Sequence, residues 1–336
     1  MSNIIVTGGA GFIGHHLAAY LLSNTKHNIS VLDRLDSRFA TMRITELTYK
    51  YPQLNNYYYD LTHPMDGEIV KNLADTNMVI HMAASSHVDS SIRDPLLFTM
   101  DNVVGTCNLL NWARTIPNLK FIYVSSDEVF GSTLNNYYAF KENDTLTPEN
   151  PYAATKVGAE ALVRAFACTY KLQAMIVRFT NVIGIKQHPE KFIPKVISRI
   201  LKDEQILIHT DSTGNKDGSR YYLDVRDAIS GLEILIKHFN KYPIISKENR
   251  YEGIYHFSGK EEVTNSRIVH LISTLIGKTP DIKRVSYAED RPYHDLNYRL
   301  SDTRSKLLGW ETVHKIEDSL EQISAWSLEN LGWLGF

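Results

Sequence analysis

Asn3-Ile4-Ile5-Val6-Thr7-Gly8-Gly9-Ala10-Gly11-Phe12-Ile13-Gly14 joins a short apolar run to a turn with four glycines in seven positions, and a helical pattern follows it. The run reads as a buried strand. Both G-x-x-G-x-x-G and, from Gly9, G-x-G-x-x-G are present. Glycine permits the tight turn and lets the backbone approach a pyrophosphate, whose charge then meets free N–H groups at the positive end of a helix. Gly8, Gly11, Phe12, Ile13 and Gly14 are therefore the expected pyrophosphate cradle. A second strand, Ile29 to Asp33, ends in an acid at the distance expected of a ribose ligand. A carboxylate at Asp33 accepts both ribose hydroxyls and repels a 2′-phosphate, which favours NAD over NADP, while the adjacent Arg34 argues the other way. Asp60-Leu61 follows the third strand, and either contacts the adenine or forms a plain turn.

Outward from this unit, strand-like runs alternate with helical periodicity: Tyr57 to Asp60, Met78 to Met82, Lys120 to Ser125 and Ala174 to Phe179. Continuous apolar strands suit a parallel sheet covered on both faces, and right-handed crossovers make it an α/β doubly wound fold of Rossmann type. Beyond Asn181 the pattern loosens, with a polar stretch at Asp211 to Ser219. The expected organisation is a dinucleotide-binding domain over 1–180, with segments near 220–239 and 253–258 returning to it. A smaller α/β substrate-binding domain, interleaved with the first, covers 181–336.

Two further constellations carry chemistry. Tyr152 and Lys156 form Y-x-x-x-K, a spacing that puts both on one helix face. A phenol with a pKa near 10 acts as a base when a neighbouring ammonium and an oxidised nicotinamide pull that value down. Ser125-Ser126 closes the strand before it, so the set suits oxidation of an alcohol. Asp127-Glu128 comes next. Adjacent carboxyls with separated pKa values can serve as general acid and general base in one step.

The glycine turn, Tyr152 and Lys156 resemble the extended short-chain dehydrogenase/reductase superfamily. Ser125-Ser126-Asp127-Glu128-Val129-Phe130-Gly131 is similar to the S-T-D-E-V-Y-G segment of dTDP-glucose 4,6-dehydratases. The likeness extends through Ala83-Ala84-Ser85-Ser86-His87-Val88-Asp89, Arg178-Phe179-Thr180-Asn181, His188 to Pro194 and Asp290 to Asp295. It implies a lyase, a nucleotide-sugar 4,6-dehydratase with bound NAD, in which Ser126, Asp127 (acid), Glu128 (base), Tyr152 and Lys156 are catalytic. It also implies that Ala83 contacts the cofactor. Ser85, His87, Asn181, Glu190, Lys191, Arg220, Arg291 and Tyr293 would hold a nucleotide-diphosphate hexose. Ser85 and Ser90 stand where bacterial members carry Glu and Arg, and Ile183 and Ile185 where they carry Tyr and Pro. A Glu exchanged for Ser leaves room for a 2-acetamido group, so UDP-N-acetylglucosamine joins dTDP- and UDP-glucose as an expected substrate. The acid pair favours glucose. A nucleotide-sugar 4-epimerase or reductase, or a non-catalytic NAD-sensing regulator, are the alternatives, and the intact acid pair counts against each.

The 336 residues carry 36 basic and 38 acidic side chains, a net charge of −2, which supplies no field for nucleic acid or an anionic membrane. Cys107 and Cys168 show neither a disulfide framework nor a zinc spacing. The thirteen histidines lack H-x-x-x-H geometry, so no metal is expected. His87 and His294 line the sugar site or hold structural hydrogen bonds. No signal peptide or membrane span is read at the start of the chain, and a cytoplasmic enzyme is expected. Helices near 95–114 and 152–171 carry apolar or small residues on more than one face, including Val103, Cys107, Leu110, Ala154, Ala161 and Ala165. A homodimer through them is expected.

Overall fold

Ile4 and Val6 pack into one hydrophobic core and Ile5 into another, so the opening run is continuous because its two faces are both covered. Phe121-Ile122-Tyr123-Val124 and Ala174-Met175-Ile176-Val177 divide in the same way between the two cores. The computed structural model describes residues 1–132, 138–211, 213–214, 216–286 and 297–336. Its main sheet has seven parallel strands: β1 (Asn3–Thr7), β2 (Asn28–Asp33), β3 (Asn55–Tyr58), β4 (Met78–His81), β5 (Lys120–Ser126), β6 (Gln173–Phe179) and β7 (Ile254–Phe257). They lie in the order β7-β6-β5-β4-β1-β2-β3. The chain moves outward from β1 to β3 and then crosses to β4 on the other side of β1. That reversal opens a crevice at the carboxyl ends of β1 and β4, where open α/β sheets bind ligands.

β3 lies two residues earlier than the apolar pattern suggests. It is an edge strand with mostly exposed side chains, so burial does not mark its limits. The start of the segment near 220–239 forms two short strands, Ser219–Tyr221 and Leu223–Asp224, and neither joins the main sheet. The chain does return elsewhere. β7 pairs with β6 from Ile254↔Ile176 to Phe257↔Phe179, and the helix Val225–His238 packs on the helix Phe12–Asn24. A third core gathers Ile193, Val196, Ile197, Ile200, Ile206 and Ile208 with Ile268, Ile272, Leu320 and Ile323. It supports a smaller layer in which Ile206–Thr210 pairs in parallel with Ile282–Ser286.

The stretch 95–114 is a helix in three parts. A π-helical turn, Met100–Val104, sits between Pro95–Thr99 and Gly105–Ala113 and buries Asp101 and Asn102. Leu110, expected on a spare apolar face, is fully buried in the core. Among the described residues no helix is long and apolar enough to cross a membrane.

Candidate active site at the carboxyl edge of the sheet

Gly8 takes φ +67°, and a Cβ there would lie 2.7 Å from the Ala83 backbone. A Cβ on Gly14 would lie 2.3 Å from the Gly8 carbonyl oxygen, and one on Gly11 would lie 2.9 Å from it. Side chains are excluded from the turn by the main chain itself. The following helix, Phe12–Asn24, has no side-chain cap, so its first N–H groups, without acceptors inside the helix, remain for an anion. Asp33 closes the turn from β2, its Oδ2 accepting from the Ala10 amide (3.0 Å) and its Oδ1 from the Leu35 amide (2.9 Å). Burial raises its pKa, and those two N–H groups oppose the rise. This geometry fits a dinucleotide. The Ala83 backbone lies against Gly8. Asp60 accepts from the Thr62 amide in its own turn, and Leu61 is buried in a core.

β5 delivers the second group. Ser126 ends the strand and accepts from the Glu128 amide (3.3 Å), starting the 3-10 turn Asp127–Phe130, which Gly131 ends at φ +70°. Asp127 is buried. Its Oδ1 accepts from Ser126 Oγ (3.0 Å), and its Oδ2 is buried without a partner. Burial, reinforced by the Glu128 charge, pushes this carboxyl up to about 7. Glu128 reaches the open cleft beside it, with Oε2 accepting from Asn150 Nδ2 (3.1 Å).

Asn150 explains how the two constellations meet. Its Oδ1 accepts from the Ala153 amide and caps the helix Pro151–Tyr170, whose first residue is a proline. The sequence reading missed its second role, although Asn-Pro before a helical pattern marks a cap. Tyr152 and Lys156 are both buried on this helix. The Tyr152 amide donates to Ser91 Oγ (3.1 Å), and Lys156 Nζ donates to the Val124 carbonyl (2.7 Å) above the Tyr123 ring. Burial and then the Glu128 charge raise the Tyr152 pKa, against a hydrogen bond from Ser126. Burial lowers Lys156 to about 7, and the Glu160 charge opposes it.

A cleft of about 360 Å³ opens beyond Glu128. His87, Asn181, Glu190, Lys191 and Arg220 line it, with Asn181 Oδ1 buried and unpartnered. Lys191 Nζ donates to the Ser86 carbonyl (2.9 Å), and the Arg220 guanidinium stacks on Tyr298. Lys195 and Arg199 add positive charge, and His209 an imidazole, that the sequence reading did not assign. The signal was present in the helix Phe192–Leu201: Ile193, Val196, Ile197 and Ile200 face its core, which leaves Lys195 and Arg199, four apart, on the opposite side.

Ser85 is not among the residues that line this cleft: its Oγ donates to Asp101 Oδ2 (2.5 Å), and Asn102 takes its amide N–H (2.8 Å) and its carbonyl (3.0 Å). Arg291, Tyr293 and His294 lie outside the described residues. Among the described residues no group of three or more His, Cys, Asp or Glu is placed to hold a metal. His81 bridges the hydroxyls of Thr7 and Thr106.

The family model for GDP-mannose 4,6-dehydratase matches residues 5–323. A dTDP-D-glucose 4,6-dehydratase of Dictyostelium discoideum is 31% identical over 99% of this chain and 83% of its own. The crystal structure of a dTDP-glucose 4,6-dehydratase from Streptomyces venezuelae, with NAD bound, superposes with a TM-score of 0.86 at 30% identity and covers 99% of each chain. A UDP-glucuronic acid 4-epimerase from Bacillus cereus shares the fold, with a TM-score of 0.85 at 23% identity, covering 97% of this chain and 99% of that one.

Proposed function

Because this chain belongs to the GDP-mannose 4,6-dehydratase family, within the extended short-chain dehydrogenase/reductase superfamily, we propose that it is an NAD-dependent hydro-lyase. It converts a dTDP- or UDP-hexose to the 4-keto-6-deoxy sugar nucleotide. The observation that carries this reading is the acid pair, in which a buried Asp127 with a raised pKa adjoins a Glu128 that reaches the cleft. Two carboxyls whose environments differ in this way can serve as acid and base. A 4-epimerase has no water to eliminate and no use for the pair.

NAD, held by the Gly8–Gly14 turn and Asp33, supplies the hydride acceptor at C4 and the donor at C6. Tyr152 takes the proton of the C4 hydroxyl, and the Lys156 ammonium stabilises the phenolate that does so. Ser126 donates to the C4 oxygen. With C4 a ketone, C5–H is acidic and Glu128 removes it. Asp127 protonates the C6 oxygen, which leaves as water. Glu128 then returns a proton to C5, and the proton gained by Tyr152 balances the one spent by Asp127. Lys191, Arg220, Lys195 and Arg199 hold the diphosphate, the arginines as forks and the lysines as point charges.

Purified enzyme incubated with dTDP-glucose, UDP-glucose or UDP-N-acetylglucosamine should convert at least one to a product lighter by one water that absorbs in alkali. Asp127→Asn and Glu128→Gln should each still oxidise C4, giving a sugar nucleotide lighter by two hydrogens, but lose water about 10²- to 10⁴-fold more slowly. Normal dehydration by both variants would remove the assigned roles.

The same reading extends to a homodimer. Leu96 (70% exposed), Leu97, Ile92 and Met100 present apolar surface close to the exposed small residues Ala154, Ala161 and Ala165. Such a patch marks a contact surface. Sedimentation should give twice the chain mass, and Leu96→Glu should shift it towards the monomer; a monomeric wild-type protein contradicts the proposal.

A further inference from the structure

A nucleotide turn followed by Asp-Arg contains opposing signals. The acid suits a free ribose 2′-hydroxyl, whereas an arginine nearby is what accommodates a 2′-phosphate. Here Arg34 is committed elsewhere. Its Nη1 and Nη2 donate to Asp101 Oδ1 (2.6 Å) and Oδ2 (2.8 Å), and its Nε donates to Asp36 (2.8 Å). Asp36 is exposed and holds little, but the Asp101 side chain is only 5% exposed. A bidentate pair between a guanidinium and a carboxylate fixes orientation as well as charge.

Asp101 is itself held on a rigid frame. It sits in the π-helical turn Met100–Val104, a local irregularity that is often found at functional positions. Ser85 Oγ donates to its Oδ2, so a serine suits position 85, where a carboxylate would repel it. The next residue, Asn102, holds both backbone groups of Ser85 and donates to Thr155 Oγ1 (2.9 Å), which ties the turn to the helix that carries Tyr152. Arg43, a further arginine whose charge interacts with Asp33, is buried and donates to the carbonyls of Ala10 and Lys186.

We propose that Asp101 determines cofactor specificity: by fixing Arg34 in a bidentate ion pair, it withholds from a 2′-phosphate the arginine that follows Asp33. NADP is then disfavoured twice, by repulsion from Asp33 and by the commitment of Arg34 to Asp101. The inference rests on the NAD reading above and concerns residues that the proposed reaction does not use.

The test is direct binding of NAD and of NADP, by calorimetry, to the full chain stripped of nucleotide. Asp101→Ala should lower the Kd for NADP about tenfold, the scale of one charge-assisted phosphate contact, and keep that for NAD within about threefold. The double variant Arg34→Ala/Asp101→Ala should lose the gain. Asp101→Asn, which keeps the side-chain shape but not the charge, should show a smaller gain and decides the matter if the alanine variant fails to bind NAD. No gain in NADP affinity, or a gain that persists without Arg34, overturns the proposal. A wild-type protein that binds neither dinucleotide instead overturns the cofactor reading beneath it.

Discussion

Tyr152→Phe should lower kcat for the complete conversion about 10²- to 10⁴-fold, with nucleotide-sugar binding changed little, since only the group that takes the C4 hydroxyl proton is lost. Phenylalanine preserves what holds the ring. The backbone amide still donates to Ser91, and the edge contact with Phe98 needs no hydroxyl. Burial and the acid pair raise the pKa of the phenol, so before it can act it requires positive charge, and Lys156 lies one helical turn away. Lys156→Met should therefore reduce kcat while Tyr152 stays in place. A loss under about tenfold in Tyr152→Phe would mean that another group is the base. Single-turnover product analysis of the variant, by mass, distinguishes slow C4 oxidation from slow water loss. Only the first is expected.

What could be read from the sequence followed from distance along the chain. The turn from Gly8 to Gly14 and its helix are contiguous, and the steric demand that makes glycine necessary arises largely within the turn. Tyr152 and Lys156 are four residues apart on one helix, so their common face follows from helix geometry alone. Asp127 and Glu128 are adjacent, but their unequal environments come from elsewhere: Asn150 reaches Glu128 from the start of another helix. Arg34 meets Asp101 across 67 positions, through a π-helical turn that no hydrophobic period announces. For that reason the bond from Ser85 to Asp101 could not be read either. Resemblance places a residue within a segment, whereas its hydrogen bonds depend on which neighbours the tertiary fold brings to it. The same limit hid Lys195 and Arg199 until the buried face of their helix was known.

Arg178→Met should destabilise the fold by about 3–5 kcal/mol, because it leaves a buried carboxylate without its main partner. Arg178 is fully buried between β6 and the helix Pro151–Tyr170. Its Nε and Nη2 donate to Glu160 Oε1 (2.9 Å) and Oε2 (2.7 Å), and its Nη1 donates to the Glu142 carbonyl and meets His256 Nε2 (3.1 Å). Burial alone would raise the Glu160 pKa, but the Arg178 charge and hydrogen bonds, with help from Arg164, hold it down to about 2. The sign follows from that depression: the native interaction contributes fully above the unfolded carboxylate value of about 4.3 and is lost as pH falls towards 2. Without Arg178 the effect of burial dominates, so the Glu160 pKa rises and the variant loses most at neutral and alkaline pH. Its deficit should shrink as the solution is acidified towards the unfolded value. Glu160→Gln/Arg178→Met should recover part of the loss, since neither charge of the pair is then left buried without the other. Urea midpoints at pH 7.5 and 5.5, at fixed protein concentration, measure all three. A deficit below about 1 kcal/mol, in the range of exposed pairs, would contradict the account. The consequence reaches the site, because the Glu160 charge is what opposes the burial-driven loss of the Lys156 proton. The Glu160 carboxylate, one turn along the same helix from Lys156, thereby supports the ammonium that Tyr152 needs, and the Glu160→Gln/Arg178→Met protein should lose activity at neutral pH even where its fold is restored.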